Sequence, residues 1–335
     1  MKAPFPYCGG KSRISSEVWT ALGQPKHYLE PFFGSGAVLL NRPSYNPQKH
    51  VETVCDKDGN IANVWRAIQF SPDETAKWCD WPVNHADLMA RKKVLIASQS
   101  RLLENLINDD MWHDVKLAGY WIWGASCWIG SGLMCPTQRP IIGHAGEGVH
   151  KIGQIPQIGN AGGGVHKISK RPALSHAGTG VHKIGQLSGD GIYAWFATLS
   201  TRLRRVRIVC GDWTRICGGN WQDDLGTVGI YFDPPYSHDV GRCTDIYAQE
   251  SADVAKEVAR WAVERGSKPT YRIVLSGYTG EHDWLAEHGW RYKQWTAQGG
   301  YANIGNDDSP GKANRFREVL WLSPHCAVKQ ERLFE

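Results

Sequence analysis

The chain has 335 residues, 41% of them hydrophobic and 21% charged, which is enough for a full core and ordinary for a water-soluble protein. No run approaches the ~18 apolar residues of a membrane span, and Met1-Lys2-Ala3-Pro4 opens no signal peptide, so a cytoplasmic protein with no membrane partner is expected. The net charge of +5 is mild, so any basic footprint for nucleic acid has to be local, and nine cysteines without a Cys-x-x-Cys pair argue for reduced core thiols and against a metal site.

Residues 3–13 are rich in Gly and Pro and lead into a helix predicted over 14–22. Gly10-Lys11-Ser12 invites a phosphate-loop reading, but that motif needs glycine at position 5, where Phe5 stands. What remains is a turn that sets Lys11 over a cleft, a phosphate contact, or a surface lysine. A short strand near His27 then gives way to the turn Gly34-Ser35-Gly36 and a helix starting near Ala37. Two glycines let backbone approach a ligand where a strand hands over to a helix, although Leu39 replaces the third glycine of a dinucleotide fingerprint. Twenty residues beyond Gly36, Asp56 ends the strand 51–55, where a carboxylate accepts ribose hydroxyls; together they point to a nucleoside-containing cofactor.

Residues 71–114 carry a helical pattern, and 121–128 are aromatic and expected in the core. Between Ile129 and Ile192 there is no Phe, Tyr or Trp. This stretch repeats a 16-residue unit three times, with Val-His-Lys at 149–151, 165–167 and 181–183. Residues 137–190 hold six Lys/Arg against Glu147 and Asp190, a local balance of +4, with five histidines besides. The stretch reads as an insertion, either a glycine-rich connector or a nucleic-acid contact in which Lys151, Lys167, Lys183, His150, His166 and His182 reach phosphates or base edges.

Beyond it come a helix over 192–205, a strand over 206–210 ending at Asp212, a strand over 229–232, a helix over 251–264, a strand over 272–276, and strands at 290–295 and 317–322. The alternation predicts an α/β fold with a doubly wound, Rossmann-like, mostly parallel sheet that binds ligand at its carboxyl ends, where Asp56, Asp212 and Asp233 all sit. The strand 229–232 runs into Asp233-Pro234-Pro235-Tyr236. Two prolines remove two backbone donors and force extended geometry, so this loop offers acceptors and almost no donors. It is either a strand end with a proline stop or a site for a group that is all donor, such as an exocyclic amine, with Tyr236 as a flat stacking face.

Tyr7-Cys-Gly-Gly-Lys11, Glu30-Pro-Phe-Phe-Gly-Ser-Gly36, Asp56 and Asp233-Pro-Pro-Tyr236 together resemble the motifs of the Dam-like adenine-N6 DNA methyltransferases in their α arrangement, as found in phages and prophages. The resemblance covers 3 to about 70 and 190 to about 325. It implies methyl transfer from S-adenosyl-L-methionine to N6 of a flipped-out adenine in double-stranded DNA, by a nucleoid-associated enzyme that can act as a homodimer. It further implies a catalytic domain of residues 1–70 plus 190–335 and a target-recognition insertion of residues 71–189. Asp233, Pro234, Pro235 and Tyr236 would be catalytic. Tyr7, Lys11, Glu30, Phe32, Phe33, Gly34, Ser35, Gly36, Asp56, Asp212 and Asp233 would border the cofactor. Arg139 and Arg315 would join the repeats as DNA contacts. A cytosine-C5 enzyme is excluded, since it needs a cysteine presented after proline and no Pro-Cys dipeptide occurs. Amino methylation of cytosine N4, of RNA or of a protein glutamine, and a DNA-binding module without catalysis, stay open.

Overall fold

Side chains of the central strands alternate between two buried faces, as fits a sheet covered on both sides. The strands are β1 (His27–Glu30), β2 (Val51–Asp56), β3 (Val206–Cys210), β4 (Val228–Phe232), β5 (Tyr271–Tyr278), β6 (Arg291–Gln294) and β7 (Glu318–Leu322). They form one seven-stranded sheet in the order β3-β2-β1-β4-β5-β7-β6 in a computed structural model that describes residues 1–7, 10–128, 132–136, 191–235, 254–295 and 318–327. β3, β2, β1, β4 and β5 are parallel, and β7 runs antiparallel to both β5 and β6. The chain winds outward from β1 in one direction and from β4 in the other, so the strand order reverses between β1 and β4.

One face carries Tyr28, Val54, Ile208, Tyr231, Val274 and Leu320. Against it pack α1 (Ser15–Leu22), the single turn α2 (Ala37–Leu40), α3 (Gly59–Phe70), and a layer of α4 (Pro72–Cys79), α5 (His85–Asn108), α6 (Val115–Cys127) and α7 (Gly191–Leu203). The other face carries Leu29, Cys55, Ile230, Phe232, Ile273 and Leu275 against the short α8 (Thr214–Cys217) and α9 (Val254–Gly266).

α3 was not expected from the sequence. Its buried Ile61, Val64, Trp65 and Ile68 hold helical spacing, and Asp58 caps it by accepting from the amide of Asn60 at 2.8 Å. α5 and α6 are capped the same way by Asn84 and Asp114. α6 is buried nearly all round and lies at the centre of its layer, so residues 72–127 share one hydrophobic core with α3 and the sheet. The free edge of β3 is closed from within, because Arg66 donates to the carbonyl of Ile208 and Gln69 to that of Val206. Arg202, in the last turn of α7, is structural: with Arg42 it clamps the fully buried Glu52 at 2.7 and 3.1 Å.

The cysteines among the described residues are free thiols, most of them buried. Among those residues, no helix is long and apolar enough to cross a membrane, and no group of three His, Cys, Asp or Glu is placed to hold a metal.

Candidate active site

The carboxyl ends of β1 and β4 lie side by side where the strand order reverses, and a doubly wound sheet leaves a crevice at that point. Glu30-Pro31-Phe32 leaves β1 there, and Asp233-Pro234-Pro235 leaves β4. Between them opens a small cleft, continuous with solvent and lined by Tyr7, Lys11, Glu30, Phe32, Phe33, Ser35, Tyr231 and Asp233, with Gly10, Ala37 and Val38. Seven of the residues expected at the site from the sequence thus face one space.

The turn after β1 explains its glycines. Gly34 and Gly36 have φ of 47° and 63°, in the left-handed region that a side chain disfavours. A Cβ on Gly34 would lie 2.7 Å from the Tyr7 ring, and one on Gly36 would lie 2.7 Å from that of Phe33. The Gly34 carbonyl accepts from the Trp65 indole at 2.8 Å. Its amide donates to one Asp56 carboxylate oxygen at 2.7 Å, while the other oxygen accepts from Asp58 at 2.9 Å. Burial, and then the charge of Asp58, push the Asp56 carboxyl up to about 7.

Glu30 is 2% exposed and accepts from the Tyr28 hydroxyl at 2.9 Å and the Leu39 amide at 3.2 Å. Burial holds its carboxyl well above the ordinary range; those two donors pull the other way, while the charges of Asp233 and Glu52 push it up further. Tyr231 bonds Ser276 at 2.8 Å, and its phenol is raised well above the usual value by burial and then by Asp233. The cleft therefore has a carboxylate at its mouth, Asp233, and a second carboxyl on its floor, Glu30, that favours its protonated form.

Lys11 settles as a buried member of this cleft, neither a surface lysine nor a solvated one. It is 6% exposed, and its Nζ lies 3.2 Å from Asp233 Oδ1 and 3.3 Å from Glu318 Oε2, beside the Trp295 ring at 5.7 Å. Glu318 and Trp295 were not anticipated from the sequence. The only hint was an acid at the head of an apolar strand, and nothing in the sequence says that β7 runs antiparallel and so brings that head to the cleft.

Asp212 stands apart from the cleft lining. Its Oδ1 accepts from the amide and hydroxyl of Thr214 at 3.1 and 2.8 Å, opening α8. It still neighbours the end of β2, where the Gly211 amide donates to the Asp56 carbonyl at 2.9 Å. Pro234 is buried and Pro235 partly so. Tyr236, the three repeats with Lys151, Lys167, Lys183, His150, His166 and His182, and Arg139 and Arg315 lie outside the described residues.

The arrangement can hold a cation and an amine. Aromatic faces from Tyr7, Phe32 and Phe33 together with carboxyls suit a positively charged group, and Asp233 followed by two residues without N–H suits a donor. Comparison with protein-family models finds no match to the chain, and neither does comparison with curated proteins.

Proposed function

We propose that the protein is a DNA methyltransferase that moves a methyl group from S-adenosyl-L-methionine to N6 of an adenine flipped out of double-stranded DNA. The observation that carries this reading is that Asp233, at the head of Asp233-Pro234-Pro235, lines one cleft at the strand-order reversal together with Ser35 of the Gly34–Gly36 turn.

When bound, S-adenosyl-L-methionine supplies an electrophilic methyl carbon on a sulfonium cation. The residues lining the cleft fit it: Tyr7, Phe32 and Phe33 offer faces to a cation, Glu30 and the Gly34–Gly36 turn would border the methionine end, and Asp56, bonded behind that turn, would take the ribose. The clamp between Gly34 and Asp56 couples two of these elements, so Asp56 also contributes by holding the turn. Asp212 would border the adenine end, with one oxygen already used by Thr214.

The amine of adenine is a poor nucleophile because its lone pair is delocalised into the ring. Acceptance of both hydrogens, by Asp233 and the Pro234 carbonyl, localises that pair and relieves the positive charge that grows on nitrogen. A base within a duplex cannot reach the cleft, so it must be extruded and held by stacking, the part assigned to Tyr236. DNA contacts are assigned to the 16-residue repeats, with Arg139 and Arg315.

Modification-sensitive sequencing of DNA from cells that express the protein tests the reading. N6-methyladenine at one short recurring sequence is expected. N4-methylcytosine, or unmodified DNA with the protein folded and present, would overturn it.

A further inference from the structure

We propose that Glu318 is a positioning residue that sets the charge of the reaction centre through Lys11. The inference rests on the amine-methylation reading, because it concerns the charge that reading places on the attacked nitrogen.

Lys11 is a buried cation shared between two carboxylates, with its Nζ 3.2 Å from Asp233 and 3.3 Å from Glu318. Alone against Asp233, it would leave the pair neutral. An acceptor bound to a full positive charge is a weaker partner for an amine whose nitrogen itself becomes positive. In the transfer the nitrogen lone pair forms the bond to the methyl carbon, the carbon–sulfur bond breaks with its electrons going to sulfur, and the cationic nitrogen then sheds one proton to water. Everything near that nitrogen that lowers negative charge opposes the step. Glu318 relieves this: by sharing Lys11 Nζ it weakens the hold of that cation on Asp233 and leaves Asp233 the stronger acceptor, with Glu30 inclined to stay neutral beneath them.

The fold holds Glu318 in place for this. It pairs with Tyr278 at the carboxyl end of β5, and its carbonyl accepts from the Trp295 amide at 3.1 Å, which fixes both the carboxylate and the indole beside Lys11. An acid at the head of a parallel strand would lie at the opposite end of the sheet, so the reversal of β7 is what delivers this side chain.

The test compares wild type, Glu318→Gln, Lys11→Met and the double variant for single-turnover methylation, S-adenosyl-L-methionine affinity by calorimetry, and acetylation of Lys11 by acetic anhydride followed by mass spectrometry. Glu318→Gln should slow methyl transfer about ten- to a hundredfold, the scale of a charged contact felt in the transition state, with cofactor affinity held. Lys11 should become more reactive to acetylation as it loses a partner. The double variant should be no slower than Lys11→Met, because Glu318 acts through Lys11. A Glu318→Gln enzyme with wild-type turnover, or additive losses in the double variant, would overturn the inference while leaving the methylation reading intact. A folded wild type that methylates no amine would overturn both.

Discussion

The amide of Gly34 donates to the carboxylate of Asp56 across 2.7 Å, binding the turn after β1 to the end of β2. The same carboxylate accepts the Asp58 amide at the threshold of α3, so one side chain joins the turn, the end of β2 and the start of α3. Replacement of Asp56 by Ala should weaken S-adenosyl-L-methionine binding by about 1–3 kcal/mol, since two part-buried amides lose their acceptor and the turn loosens. Calorimetric titration checks this, and an unchanged affinity would remove Asp56 from the cofactor's surroundings.

The carboxyl of Asp56 also makes stability depend on pH. Its folded value of about 7 lies above the ordinary value near 3.8, so the folded state binds the proton more tightly than the unfolded chain does. Stability from this group is present below about pH 4 and declines as pH rises towards 7. Urea unfolding of wild type and Asp56→Asn across pH 4–8 should show the wild type losing more stability over that window than the variant, which cannot titrate there. Parallel profiles would refute the assignment.

Glu52 is the buried anion between Arg42 and Arg202, at 3.1 and 2.7 Å. Its replacement by Ala leaves two guanidinium groups without their carboxylate and should destabilise the fold by about 3–5 kcal/mol. Chemical denaturation measures this, and a loss below about 1 kcal/mol would mean that the pair is screened like a surface bridge.

Much of this molecule is legible in the sequence. The run Val206 to Cys210 buries every second residue, as an edge strand does, the run Gly229 to Phe232 is buried throughout, and the Gly34–Gly36 turn announces its positive φ angles. Two kinds of information were not legible. The direction of β7 depends on long-range pairing, so Glu318 could not be placed beside Lys11. The packing of 72–127 was equally hidden, because a helical pattern says that a face is buried without saying against what; here α6 is enclosed by its neighbours and joins the core of the sheet. α3 is a different case: Ile61, Val64, Trp65 and Ile68 carried the signal behind the Asp58 cap. Asp212 shows the limit of reading function from strand ends, since part of its carboxylate serves to open α8.

If the repeats contact DNA, exchange of Lys151, Lys167 and Lys183 for Ala should weaken binding to specific and non-specific duplex alike. The dependence of log affinity on log salt should flatten by about one unit per lysine lost. Fluorescence titration over a range of salt reads this out. An unchanged affinity and slope would make the repeats a connector.

Amine methylation at Asp233 is read out by incubating the protein with duplex DNA and S-adenosyl-L-methionine carrying a labelled methyl group, then identifying the labelled nucleoside by mass spectrometry. Wild type should yield labelled N6-methyladenine. Asp233→Ala should fold, because Lys11 keeps Glu318 as a partner, yet label about a hundred- to a thousandfold more slowly. Label on another base, no label with wild type, or near wild-type labelling by Asp233→Ala would rule out adenine methylation at Asp233.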